Sequence, residues 1–181
     1  MSKLIIEQGD VIAIMGKGWI SGLIASFTGP VSHVGIVTNQ GDTDHLDTIY
    51  VTQALSTVKA LTVPETMANA KYGYALHCPT LTHVQRLQMA EAALVHLGNE
   101  YAYANIFWQM MKQITGNPKW TERHDDSSPN ENICSELVGL AYAIGGAPFP
   151  ISPEDITPAD IFHYAIQSGW LVQVLPKTAS A

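Results

Sequence analysis

The chain has 181 residues, 46% hydrophobic and 14% charged, with a formal net charge of −7. Such a composition excludes a disordered polymer and suits a single globular domain over residues 1–181 with a large buried core. The nine Lys and Arg are scattered, so the basic stripe that nucleic-acid binding requires is missing.

The opening MSKLIIEQGD has an apolar run too short for a signal peptide or a membrane span. A cytoplasmic protein without stable membrane insertion is expected, with export by a signal-independent route left open. Oligomeric state is not specified by the sequence.

In chain order, GDVIAIMG reads as a short apolar strand and WISGLIASFTG as a helix closed by Gly29 and Pro30. SHVGIVTN is a second strand. After the polar loop QGDTDHLD, the alternating, β-branched TIYVTQALSTV forms a hairpin with it. YGYALHCP is a further strand, ended by Pro79. The period then changes. THVQRLQMAEAALVHLGN carries Val84, Leu87, Ala90, Leu94 and Leu97 on one stripe between a Thr cap and Gly98, which predicts a helix packed by that stripe. YANIFWQMMKQITG is a second helix, and NPKWTERHDDSSPNEN a long loop, read as a flap with Trp120 as its anchor. A helix from Cys134 to about Gly145 follows, then the connector PFPISPEDITP, the helix ADIFHYAIQSG and the strand WLVQVLP. The order predicts an α+β fold, an antiparallel sheet with helices packed on one side.

Cys134 is one of two cysteines and stands at the first position of a helix. Helix N-termini gather unsatisfied N–H groups and the positive end of the macrodipole, which favours a thiolate over the free thiol of pKa ~8.5. Asn132 is the candidate cap, and the N–H groups of Cys134 and Ser135 face the space where an oxyanion would develop. The competing reading is a small buried hydrophobe, the commonest role of a free cysteine.

A base is found in His33, which opens an otherwise apolar strand on the face of Gly35 and Val37. The glycine leaves space above the sheet for a helix end carrying a thiol. A hairpin centred near Thr43 sets Gln53 opposite His33, where its amide oxygen could accept from the ring and fix the tautomer.

In that order GDVIAIMG, SHVGIV, VTQAL, GNEYAYANIF and NICSELVGLAY resemble the circularly permuted branch of the NlpC/P60 papain-like superfamily. This is the group of YiiX-like and YaeF-like proteins related to lecithin:retinol acyltransferase, and the resemblance runs roughly from Gly9 to Pro158. It implies a permuted papain-like fold with Cys134 as nucleophile and His33 as general base. The family's third polar residue, commonly Glu, falls on Gln53. Of a Tyr-Asp pair that follows the long helix in the family, Tyr101 is kept and Ala102 replaces the acid. Tyr101 is a candidate for the pocket wall or an oxyanion donor. The implied activity is a cysteine peptidase or amidase cleaving an amide through a thioacyl intermediate, with peptidoglycan peptides as candidate substrates. Lipid acyl transfer, thioester hydrolysis and a silent binding module are the alternatives. The expected partner is a peptide or acyl-amide substrate, with no cofactor and no metal.

Other clusters carry weaker chemistry. His45 lies among acids at a loop tip. Cys78, His77 and His83 lack the paired spacing of a zinc module, and HDDSSPNEN lacks the alternation and glycine of a calcium loop. His96 and His163 sit beside apolar helix neighbours, and His124 is near the cysteine helix in sequence only.

Overall fold

The computed structural model describes residues 3–17, 29–55, 57–101, 131–132 and 134–176. In chain order these form β1 (Val11–Gly16), β2 (His33–Val37), a 3-10 turn (Leu46–Thr48), β3 (Tyr50–Ala54), β4 (Val58–Thr62), α1 (Val63–Met67), β5 (Ala70–His77), α2 (His83–Leu94), β6 (Glu100–Tyr101), β7 (Glu131–Asn132), α3 (Cys134–Ile144), α4 (Pro158–Gln167) and β8 (Leu171–Val174). The helix expected before Gly29, the helix expected from Tyr103, and the loop with Trp120 and His124 up to residue 130 lie outside the described residues, while the last two residues of that expected loop form β7.

The class is α+β. Six strands form one sheet in the order β4-β3-β2-β1-β5-β8, each neighbouring pair antiparallel. Strand alternation divides the core in two. Val11, Ala13, Val34, Ile36 and Leu76 face α2, α3 and α4 in one cluster. Ile12, Ile14, Val37, Val51 and Ala75 meet Val63 and Met67 of α1 in the other. Burial on both faces is why VIAIM reads as an unbroken apolar run.

The three longer helices thus share one face as expected, while α1 covers the other. The sequence reading missed α1 and β4, taking TIYVTQALSTV as a single strand. Their signals were present. Thr62 accepts from the N–H of Glu65, whose carboxylate takes the Thr62 N–H in return, and Pro64 lies in the first turn, which together form a capping box with an early proline.

The stripe assigned to α2 is also corrected. Thr82 does cap the helix, with Gln85 completing the box, but Val84 is 62% exposed, and Leu87, Leu94 and Leu97 also face solvent. The buried side is Arg86, Met89, Ala90, Ala92 and Ala93. Two contacts set this rotation. Gly145, just past α3, approaches so closely that a Cβ there would collide with Met89. Arg86 is drawn inward by Asp10, which is fully buried: Nη1 donates to Asp10 Oδ1 at 2.7 Å and Nη2 to the Cys78 carbonyl at 2.6 Å. Asp10 also meets His77 Nδ1 at 2.9 Å and accepts the Glu7 N–H at 2.7 Å.

Removing one member of a buried ion pair strands the other charge. Asp10→Ala should therefore lower stability by about 3–5 kcal/mol in urea unfolding, whereas Val84→Lys on the outer face of α2 should change it by less than about 0.5 kcal/mol.

Candidate active site

His33 is the first residue of β2, opposite Ile14 of β1, so its backbone register directs it toward the α1 face. Its ring is half-buried. The hairpin register differs from the expected one: Ile36 pairs with Thr52 and Val37 with Val51, and continuing that ladder sets Gln53 opposite Gly35 rather than His33. Gln53 stays on the face of His33, one step along the strand. Gly35 makes this possible, because a Cβ at that position would lie 2.7 Å from Val51 Cγ1 and 2.9 Å from Gln53 Cβ. The space above Gly35 is therefore filled by β3 side chains, not by a helix end.

The helix end arrives from the other side. Cys134 begins α3 and is 3% exposed, packed within the cluster of Val34, Ile36, Leu137 and Val138. At the open end of β2 the imidazole meets both layers. Its Nε2 lies 2.7 Å from Gln53 Oε1, and the ring is also hydrogen-bonded to the Cys134 side chain. An amide oxygen can only accept, so Nε2 carries a proton. That leaves Nδ1 to receive the proton of the thiol.

Gln53 is 1% exposed and makes two bonds: its Nε2 donates to Thr66 Oγ1 of α1 at 2.8 Å. Thr66 was not singled out by the sequence, since nothing in VPETM marks a hydroxyl aimed at a neighbouring strand. Ser135 is buried, and its Oγ donates to the Ile156 carbonyl at 2.6 Å. Its hydroxyl anchors the start of α3, so the group it can offer an oxyanion is the backbone N–H. Tyr101 pairs in parallel with Asn132 through β6 and β7, bringing its backbone beside the segment that leads into Cys134. The side chains of Tyr101 and Asn132 lie outside the described residues, and with them the wall and cap roles expected of them.

Burial opposes charge on His33. The Coulombic attraction of a Cys134 thiolate, with hydrogen bonds from the ring to Cys134 and Gln53, outweighs it and raises the imidazole above its ordinary 6.5.

The residues of the other clusters have separate surroundings. His77 is bound to Asp10, Cys78 Sγ lies 3.3 Å from Thr80 Oγ1, and His83 is exposed. His45 Nδ1 meets Asp42 at 2.8 Å on the surface. His163 is exposed and His96 half-buried. Among the described residues no three His, Cys, Asp or Glu side chains gather in a way that could hold a metal ion, and no helix is long and apolar enough to cross a membrane.

No protein-family model matches the chain, and no curated protein matches it. Among solved structures it is similar to the metalloprotein YiiX from Escherichia coli O157:H7, described as DUF1105, with a TM-score of 0.55 and 21% sequence identity. The alignment covers 75% of this chain and 64% of that one, so the chain spans less than two thirds of its neighbour. At that identity the likeness is one of fold.

The charge balance gives a directional test. By NMR titration of the His33 ring, the midpoint should lie above 6.5 in the wild type. It should fall in Cys134→Ser, because serine does not ionise and burial then loses its main opponent. An unmoved midpoint would mean that sulfur and ring are not paired.

Proposed function

We propose that the chain is a cysteine hydrolase of permuted papain-like fold that cleaves an amide bond through a thioacyl intermediate. The observation that carries this reading is the continuous chain of bonds from Cys134, at the start of a helix, through His33 to the buried amide of Gln53. The fold-level likeness to YiiX and the order of the site along the chain, His before Cys, support it.

In the reaction, His33 Nδ1 takes the Cys134 proton and the thiolate attacks the substrate carbonyl carbon. The charge on the carbonyl oxygen falls to the backbone N–H groups of Cys134 and Ser135 in the first turn of the helix. His33 then gives its proton to the departing nitrogen as the C–N bond breaks, leaving a thioester on Cys134. Water, losing a proton to His33, attacks that thioester. The carboxylic acid leaves and the thiolate and imidazolium are restored. Gln53 holds the ring in the required tautomer throughout.

Peptide or acyl amides, with peptidoglycan peptides first among them, are the proposed substrates. Passing the acyl group to an acceptor other than water would give the acyltransferase variant of the same chemistry. The neutral Gln53, where related proteins commonly carry an acid, favours a third reading, a silent binding module. YiiX is described as a metalloprotein, but the site here has one thiol and one imidazole already held by an amide, and among the described residues no three His, Cys, Asp or Glu side chains gather to hold a metal ion. This donor set does not fit a resident metal, and no step runs through one.

Incubation with muropeptides and, separately, with acyl lipids should leave a thioacyl mass on Cys134 with one of the two. Cys134→Ala and His33→Ala should each lower turnover of that substrate by about 10⁴-fold or more. A wild-type protein that forms no adduct and turns over neither class would favour the binding module.

A further inference from the structure

The buried Gln53 amide has two ends that differ chemically, and only one can support a charged His33. An imidazolium that has taken the Cys134 proton carries N–H on both ring nitrogens, so its Nε2 needs an acceptor. Gln53 supplies Oε1 only while its NH₂ points the other way, and an NH₂ with almost no access to water needs an acceptor of its own. Thr66 Oγ1, 2.8 Å away, is that acceptor.

From this geometry we infer that Thr66 is a positioning residue of the site: by accepting the Gln53 NH₂, it lets the amide turn its oxygen rather than its nitrogen toward His33. The inference rests on the dyad reading above and extends it by one residue, onto α1. Without the hydroxyl, His33 Nε2, already in contact with the amide, becomes an acceptor that the NH₂ can reach by turning. The amide then favours the turned arrangement, in which Nε2 accepts, the ring proton sits on Nδ1 and the thiol has nowhere to send its own. The thiolate is lost without any change to Cys134, His33 or Gln53.

A carboxylate has two acceptor ends and no donor, so it cannot be turned the wrong way. Gln53→Glu should therefore make Thr66 dispensable, an outcome that a purely structural threonine would not produce. Among the described residues the titratable group acting on His33 is Cys134, from α3. The groups that β3 and α1 present to this chain of bonds are the neutral Gln53 and Thr66.

The test follows the ultraviolet absorbance of the Cys134 thiolate against pH, subtracting the same titration of Cys134→Ala. It needs neither a substrate nor reagent access to the buried sulfur. Thr66→Val, close in shape, should raise the thiolate midpoint by about one to two pH units, as expected for losing a hydrogen bond to a charged group. Thr66→Ser should titrate as the wild type does, and Gln53→Glu combined with Thr66→Val should return the midpoint to the value of Gln53→Glu alone. A low wild-type midpoint that Thr66→Val leaves in place overturns the inference while sparing the dyad. So does Thr66→Ser shifting as far as Thr66→Val, or a double variant that remains shifted. A wild-type midpoint no lower than a free thiol's ~8.5 overturns both.

Discussion

The ring of His33 is held at the open end of an interior strand, between a thiol from one layer and an amide from the other. β2 is paired on both sides, to β1 and β3, so the imidazole cannot shift along the sheet without breaking two ladders. This constraint explains an arrangement that neither face offers alone. The helix with Cys134 packs against the cluster of Val34 and Ile36, while Gln53 and Thr66 belong to the α1 side. A residue in the middle of β2 would be committed to one layer by the alternation of the strand. The first residue, where the ladder ends, can be reached by both.

The same logic fixes the sulfur. α3 is tied down near both ends by side chains of its own. Ser135 Oγ bonds the Ile156 carbonyl at its start, and two turns later Tyr142 donates its hydroxyl proton to the Gly9 carbonyl at 2.8 Å. Burial, reinforced by the nearby Asp10 charge, pushes the Tyr142 hydroxyl well above its ordinary value, so it remains a donor across the accessible pH range. Gly9 adjoins Asp10, where the Arg86 ion pair fastens α2 to β1. The strand end opposite the site therefore acts as a shared anchor for α2 and α3. The buried charges there contribute geometry to a helix whose Cys134 end lies at the other end of the strands. Buried ion pairs add little net stability compared with apolar packing, and here Arg86 also determines which side of α2 turns inward.

Much of this was legible in the residues. Short apolar or alternating runs bounded by turn residues located β1, β2, β3, β5 and β8. Thr82 announced the start of α2, because a capping hydroxyl acts through local geometry that sequence spacing preserves, whereas Thr157, which caps α4 in the same way, was left in the connector. Cys134 and His33 were recognisable as a pair because each stands at the end of an element, where chemistry concentrates. What failed was non-local. The rotation of α2 followed Arg86 and the close approach of Gly145 to Met89, against a leucine stripe that pointed the other way. The hairpin centre was misplaced by one residue, which moved Gln53 from His33 to Gly35. Gln53 nonetheless remained a partner of His33, since a shift of two positions along a strand keeps a side chain on the same face. Thr66 was invisible because α1 is brought to β3 by the sheet, and no local pattern encodes that meeting.

An amide rather than a carboxylate beside His33 has a physical consequence beyond a weaker hold on an imidazolium. A glutamate at position 53, which is 1% exposed, would add a full charge beside the thiol and the imidazole and leave an ionised pair with a net negative charge. With Gln53 the pair is neutral as a whole, which limits the desolvation cost of keeping it ionised. The exchange removes a charge but introduces a direction, because an amide has a donor end that a carboxylate lacks. A buried glutamine can serve a protonated histidine only where a further group accepts its NH₂. The need for a fourth residue behind Gln53 therefore follows from the neutrality of the third.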